Sequence, residues 1–407
     1  MVKLFESEED IPISINQLDA GDFVLPVKNG MVDLKSGQLL PANKDLLTTR
    51  LTNIEYDATA TCPTWIKFMS DITLNDPLLA RYLQRMVGYS LTKSTIEQCI
   101  FFMYGHGANG KSTFLNILLA LIGELGTQAG SEFIVQGTKR SSQAASGDLA
   151  RLNGMRFVAI SEIDDGRHLE EAIVKSLTGG DPITARHLYK SEFVFTPVSK
   201  FWIATNHKPT IRGNDHGIWR RVRLIPFTRK FDKHEQDPYM ESKLRAELPG
   251  ILNWAIAGCL DWQKNRMSLP PVIENATKEY RDEMDILGSW LEQNCLCGPE
   301  YEVLFSEIYE DFSEWVKENY NITYAKKRLG QMLIERGYER GPQTDKRTYR
   351  GFDLKRNKNV VCIVEYEEMQ LKLKEERRAR RRIMAKAIVV FSGITWDAED
   401  EHDFQDE

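Results

Sequence analysis

Two spacings of hydrophobic and polar positions alternate along the chain, and the changes between them mark its sections. Between Pro63 and about Tyr89, Trp65, Phe68, Met69 and Ile72 recur at helical spacing, which predicts a helical section with one face packed on a core. Ahead of it, residues 29–37 (Asn-Gly-Met-Val-Asp-Leu-Lys-Ser-Gly) read as a short strand-and-turn section. From Gln98 to about Phe227 the pattern becomes short apolar runs between polar, Gly-rich turns, at 99–104, 157–161, 193–198, 201–205 and 222–227. Short buried strands separated by helices predict an α/β sheet, with its chemistry at the strand ends. After Pro270, helical spacing returns over 286–294, 303–320 and 324–337, and a turn-rich stretch then leads through Gly341-Pro342 into 348–352. Three helices and a basic hairpin predict a winged-helix domain.

Composition adds limits rather than a function. With 42% hydrophobic and 28% charged residues over 407 positions, the chain can bury two or three ordinary cores, so a multidomain protein is expected and a fibrous or wholly disordered one is not. No apolar run reaches the roughly 18 residues that cross a bilayer, and the first residues, Met1-Val2-Lys3-Leu4-Phe5-Glu6, lack the apolar core of a signal peptide. The expected compartment is the cytoplasm, with no membrane partner. Six scattered cysteines, of which only Cys295 and Cys297 are close, read as reduced structural thiols.

Charge changes the picture when it is divided along the chain. The net charge of −6 opposes nucleic-acid binding, yet Asp397–Glu407 hold seven acids and no Lys or Arg; without them the balance is +1. Arg377, Arg378, Arg380, Arg381 and Arg382 form a dense basic cluster, which fits a solvated helix face and a nucleic-acid patch equally well. The acidic end fits either a repeller of non-specific DNA or a segment with no role.

Residues 105–112, Gly105-His106-Gly107-Ala108-Asn109-Gly110-Lys111-Ser112, match G-x-x-x-x-G-K-S at every fixed position, between an apolar strand and a helical run starting at Thr113. In such a loop the glycines let backbone N–H groups close on phosphate oxygens, and the helix N-terminus adds its positive dipole end. Lys111 would place a charge on the outer phosphates and Ser112 would hold Mg²⁺. The expected ligands are therefore ATP and Mg²⁺, in contact with Gly105, Gly107, Ala108, Asn109, Gly110, Lys111, Ser112 and Thr113.

A glycine-rich loop alone fits several kinds of nucleotide enzyme, so the other strand ends matter. Residues 157–165 run from an apolar strand into Glu162, Asp164 and Asp165. Phosphoryl transfer needs one carboxylate to position Mg²⁺ through its water and another to orient the attacking water. Glu162 is assigned the first role and Asp164 the second, with Asp165 a bystander. The strand 201–205 ends at Asn206, whose amide fits a γ-phosphate contact. Arg220 and Arg221 stand next to each other at a strand edge, where either fits a finger on the γ-phosphate or a surface ion pair.

Taken in order, the loop with Asn109 before Gly110-Lys111-Ser112, the acidic strand, Thr178-Gly179-Gly180-Asp181-Pro182-Ile183-Thr184-Ala185-Arg186, the Asn-ended strand and Trp219-Arg220-Arg221 resemble the superfamily 3 helicases. The match is closest to the helicase half of phage and plasmid primase-helicases, a group that includes the poxvirus primase-helicase. The resemblance implies an α/β fold with an AAA+-type P-loop ATPase core at 96–285. A small, mostly helical domain at 1–95 would precede it, a winged-helix DNA-binding domain at 286–370 would follow, and a basic then acidic tail would span 371–407.

It also implies an ATP-driven hexameric ring that moves 3′ to 5′ along single-stranded DNA and opens forks, in a phage, plasmid or other mobile element within a bacterial host. Arg220 and Arg221 would then act on a neighbour's nucleotide. The stretch 183–198 reads as a hairpin with Tyr189 and Lys190 near its tip, and the resemblance aims that hairpin into the ring's channel, with Lys190 on phosphate and Tyr189 on sugar or base. Lys326, Lys327 and Arg328 are the expected DNA contacts of the winged helix. Few residues precede the motor, so priming activity does not carry over: either a separate primase or polymerase partner supplies it, or Met1 begins an excised fragment. Two other readings stay open. An origin-binding initiator would read bases with Lys326, Lys327, Arg328 and Gln331, and a plain P-loop ATPase would serve as a scaffold or loader.

Overall fold

The computed structural model describes residues 17–136, 147–187, 189–211, 216–320, 322–342 and 347–357. The basic cluster at 377–382 and the acidic end at 397–407 lie outside the described residues. The chain divides into two units, Met1–Asp285 and Ile286–Glu407.

The first unit opens with an antiparallel meander of β1 (Val24–Val27), β2 (Gly30–Asp33) and β3 (Gln38–Leu40). Two helices follow, α1 (Pro63–Ile72) and α2 (Pro77–Ser90). The helical spacing over 63–89 is thus split. Leu74 and Asn75 adopt left-handed backbone, and Asp76 accepts from the Leu78 and Leu79 N–H groups. Pro77, with no N–H to continue a helix, starts the second one.

The centre is a five-stranded, wholly parallel sheet in the order β10-β4-β9-β6-β5, made of β4 (Ile100–Tyr104), β5 (Gly126–Ala129), β6 (Phe157–Ser161), β9 (Lys200–Thr205) and β10 (Val222–Pro226). β4, β6, β9 and β10 are largely buried on both faces, as in other parallel sheets, while the edge strand β5 is only partly covered. Phe101, Met103, Phe157, Ala159, Trp202 and Ala204 join one core with α3 (Lys111–Ile122), α1, α2 and the meander. The alternating set Ile100, Phe102, Val158, Ile160, Phe201 and Ile203 joins the other with α4 (Glu171–Gly179) and Tyr280.

Between these strands lies an antiparallel hairpin, β7 (Ile183–Arg186) with β8 (Glu192–Phe195). The apolar run at 193–198 therefore pairs with β7 instead of entering the sheet. Its pairing stops before Pro197, which has no N–H to give. Short helix α5 (His216–Trp219) precedes β10, and α6 (Met240–Ala246), α7 (Leu248–Asn265) and α8 (Pro271–Met284) follow it. Helices α2 and α7 pack backbone to backbone: a Cβ on Gly88 would collide with Cys259, and one on Gly258 with Gln84.

The second unit has its own core, with Trp290, Phe312, Leu329, Leu333, Tyr349 and Phe352 buried together. Its order is α9 (Ile286–Asn294), β11 (Cys295–Leu304), α10 (Phe305–Tyr320), α11 (Lys326–Glu335) and β12 (Thr348–Leu354). β11 pairs antiparallel with β12 across a register shift between Cys297 and Glu302. That strand takes the start of the expected 303–320 helix and moves it to Phe305. Among the described residues, no helix is long and apolar enough to cross a membrane.

Candidate nucleotide site

The strand order brings three of the motifs side by side. β4 runs into the glycine-rich loop, its neighbour β9 ends at Asn206, and the next strand, β6, ends at Glu162. Parallel strands all point the same way, so these ends share one edge of the sheet.

Within the loop, Gly107, Ala108 and Gly110 all have positive φ, the last at 84° as the cap of α3. Backbone of this kind turns successive N–H groups toward one concavity, and α3 adds the positive end of its dipole. Ala108 at φ 43° is a non-glycine held in a sparsely populated region, which the surroundings must enforce. They do so from two sides. The Phe231 N–H donates to the Ala108 carbonyl at 2.8 Å, and the Asn109 amide donates to the Phe227 carbonyl at 3.3 Å. On the other side, a Cβ on Gly110 would press to 2.8 Å from Ile72 and 3.2 Å from Phe68 of α1, so only glycine fits.

Lys111, the first residue of α3, is buried. Its ammonium donates to the Gly105 carbonyl, to Asn109 Oδ1 at 3.1 Å and to Asn206 Oδ1 at 3.2 Å. Burial pushes its pKa down to about 8. Ser112 is exposed in the first helical turn, with Thr113 half-buried behind it.

Beyond β6, Glu162 is exposed, has φ 53° and donates its N–H to the Ala204 carbonyl at 2.9 Å, which ties the acidic turn to β9. Asp164 is exposed and accepts from Arg167 at 3.2 Å. Asp165, read as a bystander, lies 3.6 Å from His207 beside Asn206.

The two arginines part company. Both lie at the opposite edge of the sheet: the Ile100 N–H, where β4 begins, donates to the Arg221 carbonyl, and Arg220 donates to Gln98 at 2.9 Å. Arg221 is buried, and its Nε donates to Thr178 Oγ1 at 3.1 Å. Arg220 is exposed.

At the hairpin turn Tyr189 is 96% exposed with φ 60°, and Lys190 is exposed beside it. In the second unit the Lys326 ammonium sits 5.1 Å above the Tyr309 ring, and Arg328 lies 3.6 Å from Glu335. Lys327 and Gln331 are exposed on α11.

Two family models match segments of the first unit. Residues 1–74 match a family model described as "D5 N terminal like", and residues 103–221 match one described as a family of unknown function, DUF5906. A candidate helicase of Acanthamoeba polyphaga mimivirus, L207/L206, is 28% identical over 337 residues, 76% of this chain and 34% of that protein. A candidate primase of African swine fever virus, C962R, is 24% identical over 76% of this chain and 34% of its own length. The chain is thus similar to viral proteins described as helicases or primases, and its first 74 residues match the D5-type model. It spans about a third of the length of these curated relatives. The A-form structure of the NrS-1 C-terminal region shares the fold of this chain, with a TM-score of 0.51 at 10% identity over 86% of this chain and 89% of that one.

Sequence reasoning overlooked three side chains of the site. Arg167 and His207 contact the acidic turn, and Lys208, two residues past Asn206, reaches Glu283 on α8. The Thr205-Asn206-His207-Lys208-Pro209 run alone carries no spacing that points to a residue 75 positions away.

Proposed function

We propose that this chain is the motor part of an ATP-driven, ring-forming DNA helicase that tracks 3′ to 5′ on single-stranded DNA during replication of a virus or other mobile element. The observation that carries the reading is the bond between Lys111 and Asn206 across adjacent strand ends, with Glu162 on the next strand. Lys111 and the 105–113 backbone would bind the phosphates, Asn206 would contact the γ-phosphate, and Asp164 would orient the attacking water. Mg²⁺, held by Ser112 and through water by Glu162, would neutralise charge building on the phosphates. Among the described residues, no group of three His, Cys, Asp or Glu side chains forms a metal site, which fits an ion held mainly by phosphate oxygens.

Arg220 supports the ring. It stands at the far edge of the sheet from its own glycine-rich loop, so a γ-phosphate within its reach belongs to a neighbouring subunit. In the second unit, the order helix, strand, helix, helix, strand supports a winged helix whose α11 offers Lys326, Lys327 and Arg328 to DNA.

The test is unwinding of forked duplexes carrying a 3′ or a 5′ single-stranded tail, with ATP and Mg²⁺. Opening from the 3′ tail alone is expected. No opening from either tail, with ATP turnover indifferent to DNA, would replace the helicase by a scaffold or loader ATPase.

Two further outcomes are expected. Phosphate binding restores the charged form of Lys111, so its pKa rises on binding and a proton is taken up when the pH exceeds about 8. ATP affinity should be flat below pH 8 and weaken by up to about tenfold per pH unit above it. Titration calorimetry in buffers of different ionisation enthalpy reads that proton directly, and a flat profile through pH 9 would contradict it. At the hairpin, Tyr189→Ala should weaken single-strand binding by about 5- to 150-fold, the range of one base stacked on an aromatic ring. Lys190→Ala should lower the slope of log affinity against log salt by about 0.7. Fluorescence anisotropy over a salt series measures both.

A further inference from the structure

We propose that Lys208 is a positioning residue for the Asn206 side chain, held by Glu283 from the last helix of the first unit. The inference rests on the sensor role assigned above to Asn206.

The chain turns sharply after β9: Thr205 Oγ1 donates to the His207 carbonyl at 2.6 Å and accepts the His207 N–H at 3.1 Å. Asn206 sits in that turn, and Lys208 leaves it toward α8. The Lys208 ammonium makes bonds of 2.8 and 2.7 Å to the two carboxylate oxygens of Glu283. It lies 5.1 Å from the centre of the Tyr104 ring and 5.6 Å from that of Tyr280, with the side chain only 17% exposed. Both rings belong to the site's frame. Tyr104 is the last residue of β4, directly before the loop, and its hydroxyl is 3.0 Å from His106 Nε2. Tyr280 is buried on α8 and its hydroxyl donates to the Pro209 carbonyl.

One ammonium therefore joins the strand that enters the loop, the turn that carries Asn206 and the end of α8. An exposed ion pair would do little, because solvent screens it and two long side chains must be immobilised. Here the Glu283 side chain is half exposed, but the ammonium is shielded, bidentate at the carboxylate and flanked by two π faces, so it fixes a geometry. A side chain that must meet a phosphate oxygen has to be held to about half an ångström, and it depends on supports of this kind.

The test compares steady-state ATP turnover of the full chain with that of Lys208→Met, which keeps the stem between the rings, Glu283→Gln, Lys208→Arg and Asn206→Ala. Lys208→Met and Glu283→Gln are expected to lower kcat about 10- to 100-fold with KM for ATP within about twofold. Lys208→Arg, whose planar fork suits a carboxylate, should recover most of the rate. The decisive variant is the double mutant: Asn206→Ala with Lys208→Met should be no slower than Asn206→Ala alone, since the lysine acts through the asparagine. Independent, multiplying losses would overturn the proposal, as would a normal kcat in Lys208→Met or a fall in thermal stability that tracks the lost rate. If Asn206→Ala itself turns over normally, the sensor assignment falls and the proposal with it; a slow Asn206→Ala beside a normal Lys208→Met overturns the proposal alone.

Discussion

Lys111→Ala is expected to lower ATP turnover by at least about 100-fold and to abolish ATP-dependent unwinding, while the fold remains. The reasoning starts from burial. Lys111 keeps its ammonium among three oxygen acceptors, those of Gly105, Asn109 and Asn206, at a site that pulls its pKa down to about 8. A cation so placed is only partly compensated by neutral partners, and an anion brought to the loop would complete its surroundings. Alanine removes the charge where charge develops in phosphoryl transfer, so kcat should suffer at least as much as affinity. The same depressed pKa sets the sign of the stability effect. The unfolded chain binds the proton more tightly than the folded one between about pH 8 and the ordinary lysine value, so the wild-type fold gains stability as pH rises through that window. Lys111→Ala should lack that gain. Phosphate release with and without single-stranded DNA, fork unwinding and thermal melts at pH 7 and 9.5 check these statements together. Wild-type unwinding by the variant would remove the nucleotide reading at its base.

The parts of the molecule that sequence made legible are those fixed within a few residues. The 105–112 loop is one, because its glycines, its strand and its helix are contiguous and each constrains the next. The apolar runs of β4, β6, β9 and β10 are others, since burial on both faces leaves no polar alternation to confuse them. β5 escaped notice because Gly126-Thr127-Gln128-Ala129 is an edge strand with little apolar content, placed only by its pairing with β6. β11 escaped because Gly298-Pro299 interrupts it, at a register shift that only the partner strand reveals. The hairpin strand β8 looked like a sheet strand, since Phe193 and Phe195 are apolar in either setting. In the site, the contacts of Lys111 with Asn206 and of Lys208 with Glu283 join residues far apart in sequence, and no spacing rule encodes them.

Arg220→Ala should lower kcat about 1,000-fold or more, and Arg221→Ala should act mainly on stability, although the two stand next to each other. Their surroundings carry the difference. Arg221 is buried and donates to Thr178 Oγ1 and to the Gly217 carbonyl, so its loss takes a donor from both oxygens and opens a hole beside α4, at a cost of about 1–3 kcal/mol, while the Thr178 hydroxyl keeps its bond to the Val174 carbonyl. Arg220 is exposed and makes a side-chain bond only as strong as its contact with Gln98, which leaves it available to a neighbour. If it acts across a subunit boundary, Arg220→Ala and Lys111→Ala damage different partners of one site. Mixed rings then contain boundaries where an intact Lys111 from one subunit meets an intact Arg220 from the next, about a quarter of all boundaries in an equal random mixture. Mixing two inactive proteins should therefore recover measurable ATP turnover, rising with protein concentration as rings form. Mixtures that stay as inactive as their components, under conditions where wild-type subunits assemble, would place the finger elsewhere. If Arg221→Ala instead lost its turnover while keeping its melting temperature, the buried arginine would take the role and the exposed one would revert to a surface contact.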